Sequence, residues 1–208
     1  ILNQNTLLQK LRVKDRIFCN VSEVNSVDEL RGKEGAAAQK YFSTWKKGGV
    51  IKNSQFKFLG RVKRPPTDSV NAMLSFSYSL FHSEIHTQLL IAGLDPFTGF
   101  LHEQTFGHPA LASDFVEIFR GLVELFVLRA INRREFDAKE DFEEEEGGAV
   151  KFSSAGFQKF FPKWADFLRK EKFDGERNLT KIIERDIRKF VHFLMGDESD
   201  FIPFMWSK

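Results

Sequence analysis

Apolar positions recur at intervals of three and four along most of this chain, a spacing that predicts helices with one buried face. Glycine, proline and capping residues divide the pattern into segments. Helices are expected before residue 25 and at about residues 26–47, 69–92, 109–134, 154–170 and 177–195. The pattern therefore predicts an all-α, multi-helix domain, with residues 1–208 forming one unit.

Two stretches depart from the helical spacing. Residues 50–67 are predicted to form an extended connector, because phenylalanine alternates with lysine at 56–58 and the Pro-Pro pair at 65–66 excludes helix. Residues 141–142 and 150–152 read as short extended pieces on either side of a Gly-Gly turn. The fold is thus expected to contain at most a short β-hairpin.

One acidic residue, Glu34, interrupts the apolar face of a helix that opens with a capping box formed by Ser26 and Glu29. Within about 60° of Glu34 on the helical projection lie Leu30, Ala37, Ala38, Tyr41 and Trp45. A carboxylate withdrawn from water costs on the order of several kcal/mol unless a cation or donors compensate it. A bound metal ion would do so; a buried glutamate bonded to tyrosine, arginine or backbone is the alternative.

Candidate co-ligands for a metal follow further along the chain. They are His102 and, in the helix after Pro109, Asp114 and Glu117. Three residues separate the two acids, so they lie about 60° apart and one turn along the axis, where two carboxylates can converge. Two carboxylates and one imidazole suit manganese or magnesium better than zinc. Taken singly, the histidine could belong to the core and the acids to a solvated helix edge.

Another metal-like spacing is the pair His82 and His86, four residues apart on the long helix. This is not a His-Glu-x-x-His motif and no third ligand is apparent, so a surface or packing pair is favoured over zinc. The acidic run at 143–146 is interpreted as a solvated turn.

Basic residues cluster in the extended connector, at Lys57, Arg61, Lys63 and Arg64. Cations of this kind can hold phosphates, while the neighbouring phenylalanines anchor the segment. A solvated basic loop is the alternative. Arg120, one turn beyond the second acid, and Arg133-Arg134 are weaker phosphate candidates, because ion pairing with nearby acids explains them equally well.

Composition limits these hypotheses without selecting one. With 208 residues and 24 phenylalanines, the chain can bury one good core. The net charge of +2 means that DNA binding must depend on local patches. The one cysteine, Cys19, excludes an internal disulfide and suits a reducing cytoplasm. No stretch is long and apolar enough to predict a membrane span.

Three blocks of sequence carry a family resemblance. They are Glu34-Gly35-Ala36-Ala37-Ala38 with Tyr41-Phe42, the run from Arg64 to Tyr78, and Gly93-Leu94-Asp95-Pro96 through Gly99-Phe100-Leu101-His102. Further matches are Gly107-His108-Pro109, Asp114, Glu117, Phe119-Arg120, and Asn132-Arg133-Arg134 to Gly147-Gly148-Ala149-Val150. Together they resemble the CRISPR-associated spacer integrase, a metal-dependent DNA endonuclease that inserts spacers into CRISPR arrays.

The resemblance implies a specific site. Glu34, His102 and Glu117 would be the metal ligands and Asp114 an auxiliary carboxylate, with manganese or magnesium as the ion. The last ligand is an aspartate in some members and a glutamate in others. Arg61, Lys63, Arg64 and Arg120 are the expected DNA contacts. The implied reaction is attack by a 3′-hydroxyl on a phosphodiester, with water in its place giving hydrolysis.

The resemblance also implies what surrounds this domain. The family joins an N-terminal β-rich domain to the helical catalytic domain, whereas this chain opens within an expected linking helix and has no initiator methionine. It is therefore interpreted as the C-terminal catalytic domain of a larger protein, with a fused reverse transcriptase or another module as one option. Expected partners are double-stranded and branched DNA, a second copy, and a small ferredoxin-like CRISPR-associated protein.

Two other classes of function remain as alternatives. One is a non-catalytic subunit that binds DNA or bridges partners. The other is a structure-specific repair nuclease on branched DNA that uses the same site. Loss of strand transfer on substitution of one ligand would argue against the non-catalytic subunit. Dependence of the reaction on the CRISPR leader and repeat would argue against the repair nuclease.

Overall fold

The computed structural model describes residues 26–47, 49–170, 172–173 and 176–205. Its five helices are α1 (Val27–Lys47), α2 (Ser69–Ile91), α3 (Ala110–Asn132), α4 (Ser154–Lys170) and α5 (Leu179–Met195). Two antiparallel strand pairs accompany them, β1 (Phe142–Glu144) with β2 (Val150–Phe152), and β3 (Lys172–Phe173) with β4 (Glu176–Arg177). The all-α prediction is confirmed. The helix predicted before residue 25 lies outside the described residues.

Most predicted boundaries agree with the structure to within a few residues. Asp68 is the N-cap of α2 and accepts a hydrogen bond from the backbone N–H of Asn71. The helix α3 ends two residues before the predicted Arg134, which has a positive φ of 56°. The pair β3–β4 was not predicted, because two residues per strand are too few to show an alternating pattern.

The core lies around α2 and α3, which pack against each other along most of their length. Because α3 is the central helix, residues on nearly every side of it are buried, including polar Glu124. Phenylalanines fill the space between these helices, the β1–β2 hairpin and α4, and Phe76 makes edge-to-face contacts with Phe152 and Phe160. A rigid centre of this kind fixes the positions of side chains at its edge.

The connector between α1 and α2 is extended, as predicted, with Phe56 and Phe58 buried and Lys57 exposed. Asn71, fully buried on α2, holds the later part of the connector in place. The Asn71 side chain accepts the N–H of Val62 and donates to the carbonyl of Gly60, at 2.9 Å each. The basic end of the connector is therefore fixed against the first turns of α2.

Candidate metal centre and nucleic-acid cleft

Glu34 lies in the middle of α1 and is half-buried, its side chain 27% exposed. Tyr41 and Trp45, on the same face further along the helix, are buried in the core. The carboxylate thus lies where the buried face of α1 reaches the surface. Burial raises the pKa of Glu34 above its ordinary value, and the adjoining carboxylate of Glu117 raises it further.

The loop that carries His102 is tied to α1 by Arg31. The guanidinium of Arg31 donates to the carbonyl of Leu101 at 2.7 Å and pairs with Glu103 at 2.8 Å. Arg31 comes three residues before Glu34, so the contact brings the histidine loop to the acidic position on α1. Sequence reasoning missed this residue, since an arginine on an exposed helix face gives no signal of such a distant partner.

Asp114 organises the histidine loop from the first turns of α3. Its carboxylate accepts the backbone N–H groups of Phe100, Leu101 and His102 at 2.6, 3.1 and 3.0 Å, and meets Nδ1 of the His102 ring at 2.7 Å. Burial alone would raise the pKa of Asp114, but these donors outweigh it and hold the pKa below its ordinary value. Both carboxylate oxygens are thus engaged in holding the loop backbone and the His102 ring.

His102 is half-buried, and its Nδ1 is engaged with Asp114. The hydrogen bond to Asp114 raises the pKa of His102, an effect that burial opposes and that the nearby Glu117 and Glu34 reinforce. A histidine whose Nδ1–H is held by a carboxylate presents the lone pair of Nε2 to a metal. The side chains of His102, Glu34 and Glu117 therefore belong to one electrostatic neighbourhood.

Glu117 and Arg120, one turn apart on α3, close the other side of this neighbourhood. The Nη1 atom of Arg120 lies 2.8 and 2.9 Å from the two carboxylate oxygens of Glu117 and 3.8 Å from Oε1 of Glu34. The Arg120 side chain is only 12% exposed. Arg120 therefore lies among acidic side chains. Its predicted contact with DNA stays a prediction.

A buried network below Arg120 was also missed by sequence reasoning. Glu124 is fully buried and accepts the hydroxyl hydrogen of Tyr78 at 2.5 Å, while Nε of Arg120 lies 3.4 Å from the same Glu124 oxygen. The signal was present, because Glu124 interrupts an apolar run just as Glu34 does. Burial opposes the charge of Arg120, yet Tyr78, Glu117 and Glu124 outweigh it and raise the pKa of Arg120.

An open cleft of about 510 Å³ adjoins the acidic neighbourhood. It is lined by the connector cations Arg61, Lys63 and Arg64, and by His102, Glu117 and Arg120. Burial and the nearby Arg120 and Arg61 lower the pKa of Lys63, so cations are crowded along one wall. Lys57 is not among the described residues that line the cleft. The structure therefore brings the predicted phosphate contacts beside the predicted ligands.

The donor set can be compared with the needs of a divalent ion. Across the ranges that the structure describes, no three acidic, histidine or cysteine side chains already form a metal-ligating group. Both oxygens of Glu117 are instead turned to Arg120. The chemistry of the set fits a divalent ion. Burial and the adjoining Glu117 carboxylate raise the proton affinity of Glu34, and an imidazole oriented by Asp114 lies near both acids.

The competing motifs have different surroundings. His82 directs Nε2 to the hydroxyl of Ser113 at 3.2 Å, whereas the ring of His86 packs edge-on against Phe97. The two rings thus engage different partners, as expected of packing histidines. In the acidic hairpin turn, Lys151 pairs with Glu143 and Glu145 on the surface.

Comparison with known proteins decides the family. The family model of the CRISPR associated protein Cas1 matches residues 3–166. The chain belongs to the Cas1 family. The resemblance inferred from the sequence blocks is thereby confirmed.

Curated Cas1 relatives match most of this chain but only part of their own length. The chain is 41% identical over 147 residues to a CRISPR-associated endonuclease Cas1 of Thermodesulfovibrio yellowstonii, covering 71% of this chain and 45% of that relative. It is 32% identical over 191 residues to the Cas1 endonuclease of Leptospira interrogans, covering 90% and 75%. The chain thus spans about half to three quarters of these relatives.

Solved structures share the fold. A casposase bound to its integration product has a TM-score of 0.83 and 25% identity, with 96% of this chain and 59% of the casposase covered. A Cas6-RT-Cas1–Cas2 complex has a TM-score of 0.82 over 100% of this chain and 24% of the matched chain. At 22% identity the second likeness shows the Cas1 fold alone. Within the described part of the chain, no helix is long and apolar enough to cross a bilayer.

Proposed function

We propose that this domain is the catalytic unit of a metal-dependent DNA endonuclease and integrase that inserts spacer DNA into a CRISPR array. One observation carries the proposal: Glu34 on α1, His102 in the loop before α3, and Glu117 on α3 are close enough to shift one another's pKa values, and a cleft lined by cations adjoins them. Membership of the Cas1 family supports the chemistry, since matching relatives are named endonucleases.

Each side chain has a distinct part in the proposed site. Glu34, Glu117 and Nε2 of His102 would hold the divalent ion, manganese or magnesium. Asp114 keeps the proton of the imidazole on Nδ1 and fixes the ring, so Nε2 stays free to bind the ion. When bound, the ion supplies Lewis-acid stabilisation of charge on the scissile phosphate and lowers the pKa of the attacking hydroxyl.

The cations of the cleft would bind and orient the DNA backbone. Lys63 and Arg64 are exposed in the cleft, where phosphates can reach them. Arg61 is partly enclosed, donates to the hydroxyl of Ser75 at 3.1 Å and lies over the ring of Tyr78, 5.7 Å from its centroid. Arg61 therefore braces this wall as well as contributing its charge.

The proposed reaction is a direct exchange of phosphodiester bonds. The 3′-hydroxyl oxygen of the incoming DNA forms a new bond to phosphorus, and the bond from phosphorus to the 3′-oxygen of the target strand breaks. The hydroxyl proton leaves to solvent and the departing oxygen is protonated. Water in place of the incoming end gives hydrolysis, so nuclease and integrase activities use one set of residues.

The assembly around the domain is part of the same proposal. We expect it to act within a larger cytoplasmic protein, as a homodimer, with a small ferredoxin-like CRISPR-associated partner and double-stranded or branched DNA. Support comes from the structurally similar Cas6-RT-Cas1–Cas2 complex, whose name places Cas6, RT and Cas2 beside Cas1 in that assembly. Two strand transfers at separated DNA ends require two such sites.

Strand transfer tests the function directly. We expect joined product when the intact protein and its partner are incubated with Mn²⁺, a 3′-hydroxyl oligonucleotide and a leader–repeat plasmid. Glu34→Gln should abolish it, whereas Glu29→Gln, an exposed acid on the same helix, should not. No product from any folded, DNA-binding version would favour a scaffolding subunit. Cleavage of branched DNA without dependence on leader and repeat would favour a repair nuclease.

A further inference from the structure

Arg120 already occupies the acidic site with a positive charge. Its Nη1 atom lies within hydrogen-bond distance of both Glu117 oxygens, at 2.8 and 2.9 Å, and 3.8 Å from Oε1 of Glu34. An arginine that only braced Glu117 could contact one oxygen and leave the other for a ligand. Here a single nitrogen contacts both oxygens, so the guanidinium engages the whole Glu117 carboxylate.

The position of Arg120 is fixed from the side of the core. Its Nε atom lies 3.3 Å from the hydroxyl of Tyr78 and 3.4 Å from the fully buried Glu124, and its guanidinium carbon lies 5.4 Å from the Tyr78 ring centroid. These contacts engage Nε and leave Nη1 directed to the acids. Glu117, 29% exposed, has more room to move than Arg120.

We propose that Arg120 is a built-in counter-cation that competes with the divalent metal for Glu117, an inference that rests on the proposed function. Metal binding then requires the Glu117 carboxylate to exchange the guanidinium for the ion, while Arg120 stays bound to Tyr78 and Glu124. Without metal, the guanidinium offsets repulsion between Glu34 and Glu117. With metal, it is a like charge a few ångströms away and weakens the binding of the ion.

Calorimetric titration with Mn²⁺ tests this competition. The unmodified chain should be compared with Arg120→Met and with the double variant Arg120→Met/Glu124→Gln. In the double variant the buried Glu124 carboxylate is replaced by a neutral amide, so no buried carboxylate loses its partner cation. Because a neighbouring charge at this range changes the affinity for a cation by about tenfold or more, both variants should bind Mn²⁺ about tenfold more tightly. Their melting temperatures without metal should fall. Arg133→Met removes an exposed cation at the end of α3 and should leave the affinity unchanged.

The outcomes separate the inference from the proposed function. Equal or weaker Mn²⁺ binding by the folded double variant would overturn the competition and make Arg120 a positioning residue for Glu117. If the unmodified chain binds no Mn²⁺, or binds it equally well after Glu34→Gln, the metal site itself is wrong. Tighter binding in both Arg120 variants, lost again on adding Glu34→Gln, supports the exchange.

Discussion

At the scale of single residues, Asp114 is placed to support the proposed site through the histidine loop. Its carboxylate is 11% exposed and gathers three consecutive backbone N–H groups together with the His102 ring. The sequence indicated an acid near the proposed metal but not that both of its oxygens accept hydrogen bonds from the loop. The loop conformation and the ring orientation therefore depend on one residue.

Asp114→Asn should weaken the site without removing a ligand. The amide group has one acceptor oxygen where the carboxylate has two, so the loop loses hydrogen bonds and the His102 ring loses its anionic partner. We expect Mn²⁺ affinity to fall by about 10- to 100-fold, the usual effect of losing such a supporting partner. Calorimetric titration measures the affinity; an unchanged value would contradict the positioning role.

Gly99 is required where the histidine loop passes the start of α3. An added Cβ would lie 2.7 Å from Cβ of Ala110 and 2.9 Å from Oδ2 of Asp114. Gly99→Ala should lower the free energy of unfolding by about 1–3 kcal/mol, as overpacking commonly does, and reduce strand transfer as the loop shifts. Gly32→Ala on α1 meets nothing within 4 Å and should be neutral or stabilising. Urea unfolding of both variants measures the difference.

At the scale of elements, the site depends on how the loop before α3 is held to α1. Arg31 bridges 70 residues of chain to reach the carbonyl of Leu101. Pro96 supplies its carbonyl to the N–H of Leu111 at 2.9 Å, which ties the loop to the start of α3 as well. These two attachments hold His102 relative to the proposed ligands Glu34 on α1 and Glu117 on α3.

Arg31→Met should loosen this attachment while α1 remains helical. We expect faster hydrogen exchange at the amides of residues 100–103 and reduced strand transfer, because His102 no longer keeps its place relative to Glu34. Lys33→Met, which removes an exposed pair with Glu29 on the same helix, is the matched control. Equal exchange rates in the two variants would show that Arg31 does not hold the loop.

The connector contributes through its charges. Lys63→Ala and Arg64→Ala should each weaken DNA binding and lower the slope of log affinity against log salt by about 0.9 if one phosphate contact is lost. Lys57→Ala changes the charge of the protein equally from outside the cleft and should have a smaller effect. Fluorescence anisotropy at several salt concentrations gives all three slopes; a slope change as large for Lys57→Ala would place the DNA elsewhere.

At the scale of the whole molecule, the proposed ion would join α1, the histidine loop and α3, and so add to the core packing and to the contacts of Arg31 and Asp114 that already connect them. Ligand binding to the native state alone stabilises it, so Mn²⁺ at a hundredfold excess over its Kd should add about 2.7 kcal/mol. For a domain of this size, the melting temperature should rise by about 5–10 °C. EDTA should reverse the shift, and Glu34→Gln should abolish it in a differential scanning experiment. A shift retained in that variant would place the ion at another site.

Local patterns along the chain were sufficient to predict the elements and the family. Periodicity and capping residues are local, so α1 to α5, the extended connector and the β1–β2 hairpin could be predicted from neighbouring residues. The order of the sequence blocks was sufficient to identify Cas1. An acid on an apolar face was sufficient to select Glu34 as a candidate ligand, because burying an uncompensated charge is costly at any position.

The contacts between distant residues, in contrast, could be known only from the three-dimensional arrangement. Arg31 with Leu101, and Tyr78 with Glu124, are 70 and 46 residues apart, and no local pattern specifies such contacts. The same is true of Arg120, whose charge suits phosphate and carboxylate equally well until its neighbours are known. Its burial among Glu34, Glu117 and Glu124 follows from the packing of α1 and α2 on α3. The chemistry of each side chain could be inferred from the sequence, but its contact partners depend on how the helices pack in three dimensions.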